Sequence, residues 1–195
     1  MINQEENEEI SNAFVREASV EDLDDIFEIE ERSSTLAWSK DQIAHDLNND
    51  NRRVYVCYIE VLDSAECGCG ECGPVDKEEE NINSQIIAAY VVLNTTIKDQ
   101  IEILNLVVDV DFQGLGIGEM VMNFVISSYK EIRILLEVRK SNTPAINLYK
   151  KLGFINNGIR PNYYPNLNID ENQEPSCKNG REDALLFERS PRENI

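Results

Sequence analysis

The stretch from Ile101 to Gly153 constrains the fold of this chain most tightly, because its apolar pattern switches period three times in about fifty residues. Residues 101–108 (IEILNLVV) read as a buried strand, and Gln113-Gly114-Leu115-Gly116-Ile117-Gly118 as a glycine-rich turn. A helix is expected over 118–130, a strand over 132–138 (IRILLEV) and a second helix over 143–152. Strand and helix in alternation are the signature of a layered α/β sheet, because each helix must bury its apolar stripe against the sheet that flanks it. Thr143 is expected to cap the last helix, with Pro144 in its first turn and Gly153 just past its end. Ala145, Leu148, Tyr149 and Leu152 then share one face.

The preceding sequence supplies more strands and a helical pair. A short strand is expected over 13–18, followed by a helix capped by Ser19 and Asp22, with Leu23, Ile26, Phe27 and Glu30 along one face. Ser39 and Gln42 cap a second helix whose inner stripe is Ile43, Ala44 and Leu47. Residues 53–62 and 85–94 are β-branched and aromatic and read as hairpin partners around an acidic, cysteine-containing insertion at 63–84. Terminal strands near 154–164 and 183–189 flank an Asn-rich insertion at 166–180. The expectation is one mixed-sheet α/β domain over 13–190, with an acidic tail at 1–12 and a short tail at 191–195. At 195 residues, 42% of them apolar, the chain is long enough for one sizeable core.

Charge narrows the class of partner. The chain carries 37 acidic and 18 basic side chains, a formal net charge of −19. Residues 1–31 hold 12 acids against Arg16, and residues 60–80 hold 8 acids against Lys77, so the remainder is nearly neutral. Binding to a phosphate backbone needs clustered Lys and Arg, so nucleic acid is not an expected partner. No apolar run approaches the roughly 20 residues of a membrane span, and the acidic N-terminus is unlike a signal peptide; a cytoplasmic location without membrane association is expected. The five cysteines, Cys57, Cys67, Cys69, Cys72 and Cys177, are an odd number and read as reduced thiols. Zinc on Cys67, Cys69 and Cys72 would need Cys57, Cys177 or His45 as a fourth ligand, and the usual paired spacing is absent; no metal is expected. His45 reads as structural.

Chemistry concentrates around the glycine turn. Amides unmasked at a helix N-terminus bind phosphate oxygens, and glycines let the backbone approach closely. Its spacing is neither that of a dinucleotide fingerprint nor that of a P-loop, and on its own it reads equally as a structural turn. In its context, Gln113 through Gly118 after Val107-Val108-Asp109 resembles the acetyl-CoA pyrophosphate loop of the GNAT acetyltransferase superfamily. Leu136-Glu137-Val138-Arg139-Lys140-Ser141-Asn142, Ala145 and Leu148-Tyr149-Lys150-Lys151-Leu152-Gly153-Phe154 resemble that family's second cofactor segment. Ala37-Trp38-Ser39, Arg160-Pro161-Asn162-Tyr163-Tyr164-Pro165 and Arg181-Glu182-Asp183-Ala184 resemble the RimI-type N-terminal acetyltransferases, whose type member modifies the N-terminal alanine of a small-subunit ribosomal protein.

The resemblance implies acetyl-CoA as co-substrate and a protein N-terminus, that of a ribosomal protein, as acceptor. It places Gln113, Gly114, Leu115, Gly116, Ile117, Gly118 and Asn142 at the cofactor, and the backbone of Leu106, Val107 and Val108 at the oxyanion. An α-amine has a reference pKa of about 7.7–8.0 and a departing thiol one of about 8.5, so the reaction needs a base and is helped by an acid. Glu137 matches the family's base, acting through water, and Tyr149 its acid, beside the cofactor. On residue type alone, Glu137 reads as a surface carboxylate paired with Arg139 or Lys140, Tyr149 as core and Asn142 as a cap. Trp38, Tyr163 and Tyr164 are candidates to line the acceptor groove. Two departures stand out: Gly114 replaces a frequent arginine, and the carboxylate Glu119 follows the last glycine, which predicts modest CoA affinity. A lysine or small-amine acceptor, or a non-catalytic CoA-binding interaction module, are the alternative readings.

Overall fold

The computed structural model describes residues 13–34, 36–62, 82–165 and 181–191. The expectations for both tails, for the two insertions and for Cys67, Cys69, Cys72 and Cys177 lie outside these residues. The described residues form one seven-stranded sheet in the order β1-β2-β3-β4-β5-β7-β6. The strands are β1 (Ala13–Glu17), β2 (Arg52–Leu62), β3 (Ile82–Asn94), β4 (Gln100–Val108), β5 (Arg133–Arg139), β6 (Ile155–Pro165) and β7 (Arg181–Arg189). The helices are α1 (Leu23–Ser33), α2 (Lys40–Leu47), α3 (Ile117–Ser128) and α4 (Thr143–Lys151).

Two apolar layers sandwich the sheet. Ile26 and Ile29 of α1 and Ile43 of α2 pack on one face against Val54, Val56, Tyr90 and Val107. Ile117, Val121, Met122 and Val125 of α3 and Ile146 and Tyr149 of α4 pack on the other against Cys57, Val91, Ile101, Ile103, Ile134 and Leu136. Cys57 and His45, the two alternative fourth ligands among the described residues, belong to opposite sides of the sheet. Cys57 is buried, which raises its thiol to about 11, and His45 is exposed on α2.

Two irregularities shape the centre. β4 and β5 are the parallel pair, and their ladder runs only from Gln100↔Arg133 to Ile103↔Leu136; beyond it β5 stays paired with β7 alone, through Arg139↔Ala184. On the other edge of β4 the register with β3 slips between Val92↔Asn105 and Leu93↔Ile103, leaving Leu104 as an extra residue. A bulge bends its strand and re-aims the side chains that follow. Ile101 and Ile103 face α3 before it and Leu106 and Val108 after it, while Val107 turns to the α1 side.

Most local expectations hold at their ends. Ser19 and Asp22 form a reciprocal capping box, although the first turn, Val20–Asp22, is a 3-10 turn. Ser39 caps α2 through the Gln42 amide. Helix α3 starts at Ile117, one residue before the expected start, and ends at Ser128. The cap of α4 is Asn142, not Thr143: its side chain accepts the Ala145 amide at 3.2 Å. Gly153 has φ +84°, the left-handed residue that closes the helix.

Candidate active site

On the α3 side, the chain leaves β4 through a 3-10 turn and reaches the helix through two left-handed glycines, Gly114 (φ +81°) and Gly116 (φ +83°). Nothing lies within 4 Å of where a Cβ would sit on either, so the space above the turn is open. Gly118 differs: its φ is ordinary, and an added Cβ would meet Val108 at 3.4 Å and Leu148 at 3.5 Å. The first amides of α3 have no preceding helical carbonyl, as at any helix start, and face this opening with the helix dipole behind them. The donor set suits a pyrophosphate. Gln113 spends its side chain within the protein, donating Nε2 to the Val108 carbonyl at 3.1 Å and so tying the loop to the end of β4. Leu115 is half exposed and Ile117 is buried beneath the turn. Glu119 is held by Lys151 of α4 at 2.6 Å, which neutralises the carboxylate expected to oppose a phosphate.

The parting of β4 and β5 exposes backbone. The Asp109 amide donates to Ala88 of β3 at 2.9 Å, and antiparallel bonding alternates residue by residue. The Val107 amide is thereby turned to β3, and those of Leu106 and Val108 face the gap. Of the three residues expected at an oxyanion, two present N–H groups there.

On the α1–α2 side, one open cleft of about 280 Å³ is lined by Trp38, Glu137, Tyr163 and Tyr164 together with Gln42, Asp46, Arg52, Glu102, Ile103 and Leu104. All three expected groove residues and the expected base therefore meet in one concavity, beside Ile103 and Leu104, where β4 leaves β5. Glu137 pairs with Arg160, at 3.1 Å, and not with Arg139 or Lys140. Arg160 is more than half exposed, so separating the pair costs only about 0–1 kcal/mol. The Arg160 guanidinium also lies 3.9 Å from the centre of the Tyr163 ring.

The segment carrying the tyrosines is an arch. Between Arg160↔Ala184 and Tyr164↔Glu182, β6 has two more residues than β7. Asn162 takes φ +52°, a conformation asparagine tolerates better than most side chains. Asp183 accepts the Asn162 amide at 3.0 Å. Arg181 donates to the Asn162 carbonyl at 2.8 Å and to the Tyr163 carbonyl. Glu182, between them, accepts from the Ser141 amide and from its hydroxyl at 3.0 Å, just before α4. One short segment of β7 thus shapes the tyrosine arch and holds the start of α4. Tyr163 and Tyr164 meet edge to face with centroids 4.9 Å apart, and the Tyr164 hydroxyl donates to the Glu137 carbonyl at 3.3 Å. Burial is the main reason the Tyr164 phenol is pushed up to about 12.

Tyr149 belongs to the α3–α4 layer and interacts electrostatically with Tyr164 of the cleft. It is 6% exposed, with its ring centre 5.8 Å from that of Phe154 and 6.2 Å from that of Phe187. Burial pushes its phenol well above the ordinary value, and its hydroxyl makes no hydrogen bond among the described residues. Asn142 uses its side chain as the α4 cap. Sequence reasoning did not single out Glu102, whose side chain makes no ion pair or hydrogen bond among the described residues, whereas Asp46 is engaged by Arg52 at 3.3 Å. Apolar neighbours along β4 masked Glu102.

Residues 20–154 match the family model described as the acetyltransferase (GNAT) family, and the chain belongs to that family. Among its relatives, a Bacillus subtilis protein named as a candidate ribosomal protein bS18-alanine N-acetyltransferase is 32% identical over 157 residues, 79% of this chain and 88% of that protein. The ribosomal protein bS18-alanine N-acetyltransferase of Salmonella typhimurium is 35% identical over 104 residues, covering 52% of this chain and 62% of its own length. The crystal structure of the ribosomal-protein-S18-alanine N-acetyltransferase from Escherichia coli matches with a TM-score of 0.67 at 24% identity, over 94% of this chain and 98% of that one. That likeness places the mixed, split sheet among solved acetyltransferase folds. No helix among the described residues is long and apolar enough to cross a membrane.

Proposed function

We propose that this protein transfers the acetyl group of acetyl-CoA to the α-amine of a protein N-terminus by direct attack of the amine on the thioester. The observation that carries this reading is the meeting of Glu137, Trp38, Tyr163 and Tyr164 in one cleft at the parting of β4 and β5, with the open glycine turn on the sheet's other face. The names of the relatives, which specify an alanine of ribosomal protein bS18, support a ribosomal-protein N-terminus as the acceptor. Of the three carboxylates in the cleft lining, Asp46 pairs with Arg52 and Glu137 with Arg160, while Glu102 has no ion pair among the described residues; that uncompensated negative charge favours entry of an ammonium group.

In this account, the amides of Gly114 to Gly118 and the start of α3 hold the pyrophosphate, with Asn142 beside the cofactor. The Leu106 and Val108 N–H groups receive the charge that develops on the carbonyl oxygen. Glu137 takes the amine's proton through water, the C–N bond forms, and the C–S bond breaks. Tyr149 gives its proton to the departing thiolate, and burial keeps that proton available across the working pH range.

The test is a panel of peptides that begin with alanine and contain an internal lysine, offered with free or blocked N-termini. The free peptides become acetylated at the α-amine and the blocked ones remain unmodified. Equal modification of blocked peptides at lysine overturns the assigned acceptor.

A further inference from the structure

Glu30 is fully buried on α1, yet no step of the acetyl transfer uses it. Burying a carboxyl group is costly unless its oxygens are hydrogen-bonded, and both are. Oε1 accepts the Trp38 amide at 2.8 Å. Oε2 accepts from the Tyr90 hydroxyl of β3 and from Asn105 Nδ2 of β4 at 3.3 Å. Asn105 Nδ2 also reaches the Tyr90 oxygen at 3.0 Å, so the three side chains form a closed cluster. Burial first, and then Glu30 beside it, push the Tyr90 phenol far up, which keeps it a donor.

The partners matter by where they stand. Trp38 lies in the α1–α2 connection and lines the cleft. Among residues 36–38, its amide makes the backbone hydrogen bond that ties this connection to the body of the protein. Asn105 directly follows the bulged Leu104 and directly precedes Leu106, whose amide faces the gap. The bulge is what brings Asn105 to the α1 side, where Glu30 is. One carboxyl group is thus bonded both to the loop over the acceptor cleft and to the strand that presents the oxyanion amides.

We propose that Glu30 is a positioning residue for the acceptor, fixing the Trp38 loop relative to the Leu106–Val108 strand through Tyr90 and Asn105. The inference rests on the acceptor cleft assigned under the proposed function. Because Trp38 is the single tryptophan of the chain, its fluorescence reports on this loop without reference to activity. Glu30→Gln is expected to keep the fold by circular dichroism, to increase acrylamide quenching of Trp38, and to raise the acceptor KM about tenfold, the effect of losing a strong hydrogen bond, with the acetyl-CoA KM unchanged. Should Glu30→Gln not fold, Tyr90→Phe removes one donor from the same carboxyl group and is expected to shift quenching and acceptor KM in the same direction by a few-fold. A folded variant with unchanged quenching and unchanged acceptor KM, or with both KM values raised together, overturns the proposal. Absence of wild-type turnover on every free N-terminal peptide would instead overturn the functional reading, and the quenching result would still decide the role of Glu30.

Discussion

The cofactor half and the acceptor half of this site are built in opposite ways. The cofactor half is nearly continuous in sequence: Val108, the turn to Gly118 and the start of α3 follow one another, and its conformation is set by left-handed glycines and helix ends. The acceptor half gathers Trp38, Glu102, Glu137, Tyr163 and Tyr164 from four separate segments, held by Glu30 on one side and by Arg181, Glu182 and Asp183 on the other. A backbone motif can bind the same diphosphate in many proteins. An assembled side-chain surface can be altered one residue at a time to change the acceptor.

This contrast can be sharpened by experiment, beginning with the largest expected effect. Tyr149→Phe deletes only the hydroxyl, and kcat is expected to fall about a hundredfold with both KM values little changed. Because burial holds the Tyr149 proton above its ordinary pKa of about 10, the wild-type rate should climb as the acceptor amine loses its proton and then stay level to pH 10. A fall between pH 8.5 and 10, roughly where an unperturbed phenol begins to ionise, would contradict the assignment.

Next in size is the cofactor turn. Gly116→Ala forces a side chain into a left-handed conformation at about 1–2 kcal/mol, and the acetyl-CoA KM should rise roughly tenfold while the acceptor KM stays put. An acceptor effect of equal size would dissolve the division between halves. Asn142→Ala removes the α4 cap, and chemical denaturation should show about 1 kcal/mol of lost stability; a loss of acetyl-CoA affinity beyond that would add a direct contact with the cofactor.

The smallest effect lies outside both halves. Asp22 is held below the usual carboxylate range, chiefly by its hydrogen bond from Arg16. A group whose pKa is lowered by folding adds stability that is present above its unfolded pKa, about 3.9, and is lost as pH falls through the folded value. Arg16→Ala should therefore lower Tm slightly at neutral pH and make no difference at strongly acid pH. A difference that persists undiminished in acid would separate the two side chains' contributions.

The same contrast explains what the sequence revealed. The α/β alternation after Asp99, the glycine turn and the Ser19 and Ser39 caps are local patterns, and the structure keeps them with shifts of a residue or two at helix ends. Strand parity breaks along β4: alternation counted from Ile101 sends Asn105 and Val107 to the α3 face, and the bulge at Leu104 sends them to the other. No short-range signal marks that bulge, because it is set by pairing with Val92 and Leu93 some twelve residues earlier. Ile29 and Ile146, buried in the structure, were absent from the expected stripes, and Asn142 displaced Thr143 as a cap because its side chain reaches the Ala145 amide. Glu30 was legible as a position on the inner face of α1; its partners, 8 to 75 residues away, were not.

The most direct test of the two-half account is single-turnover acetyl transfer by Glu137→Gln, with acetyl-CoA affinity measured by calorimetry on the same preparation. Glu137 lies on the acceptor side and is assigned the proton transfer alone. The account predicts an acetyl-CoA Kd within about twofold of wild type and a transfer rate lower by about a hundredfold or more. An unchanged transfer rate, or a loss explained entirely by weaker acetyl-CoA binding, would contradict it.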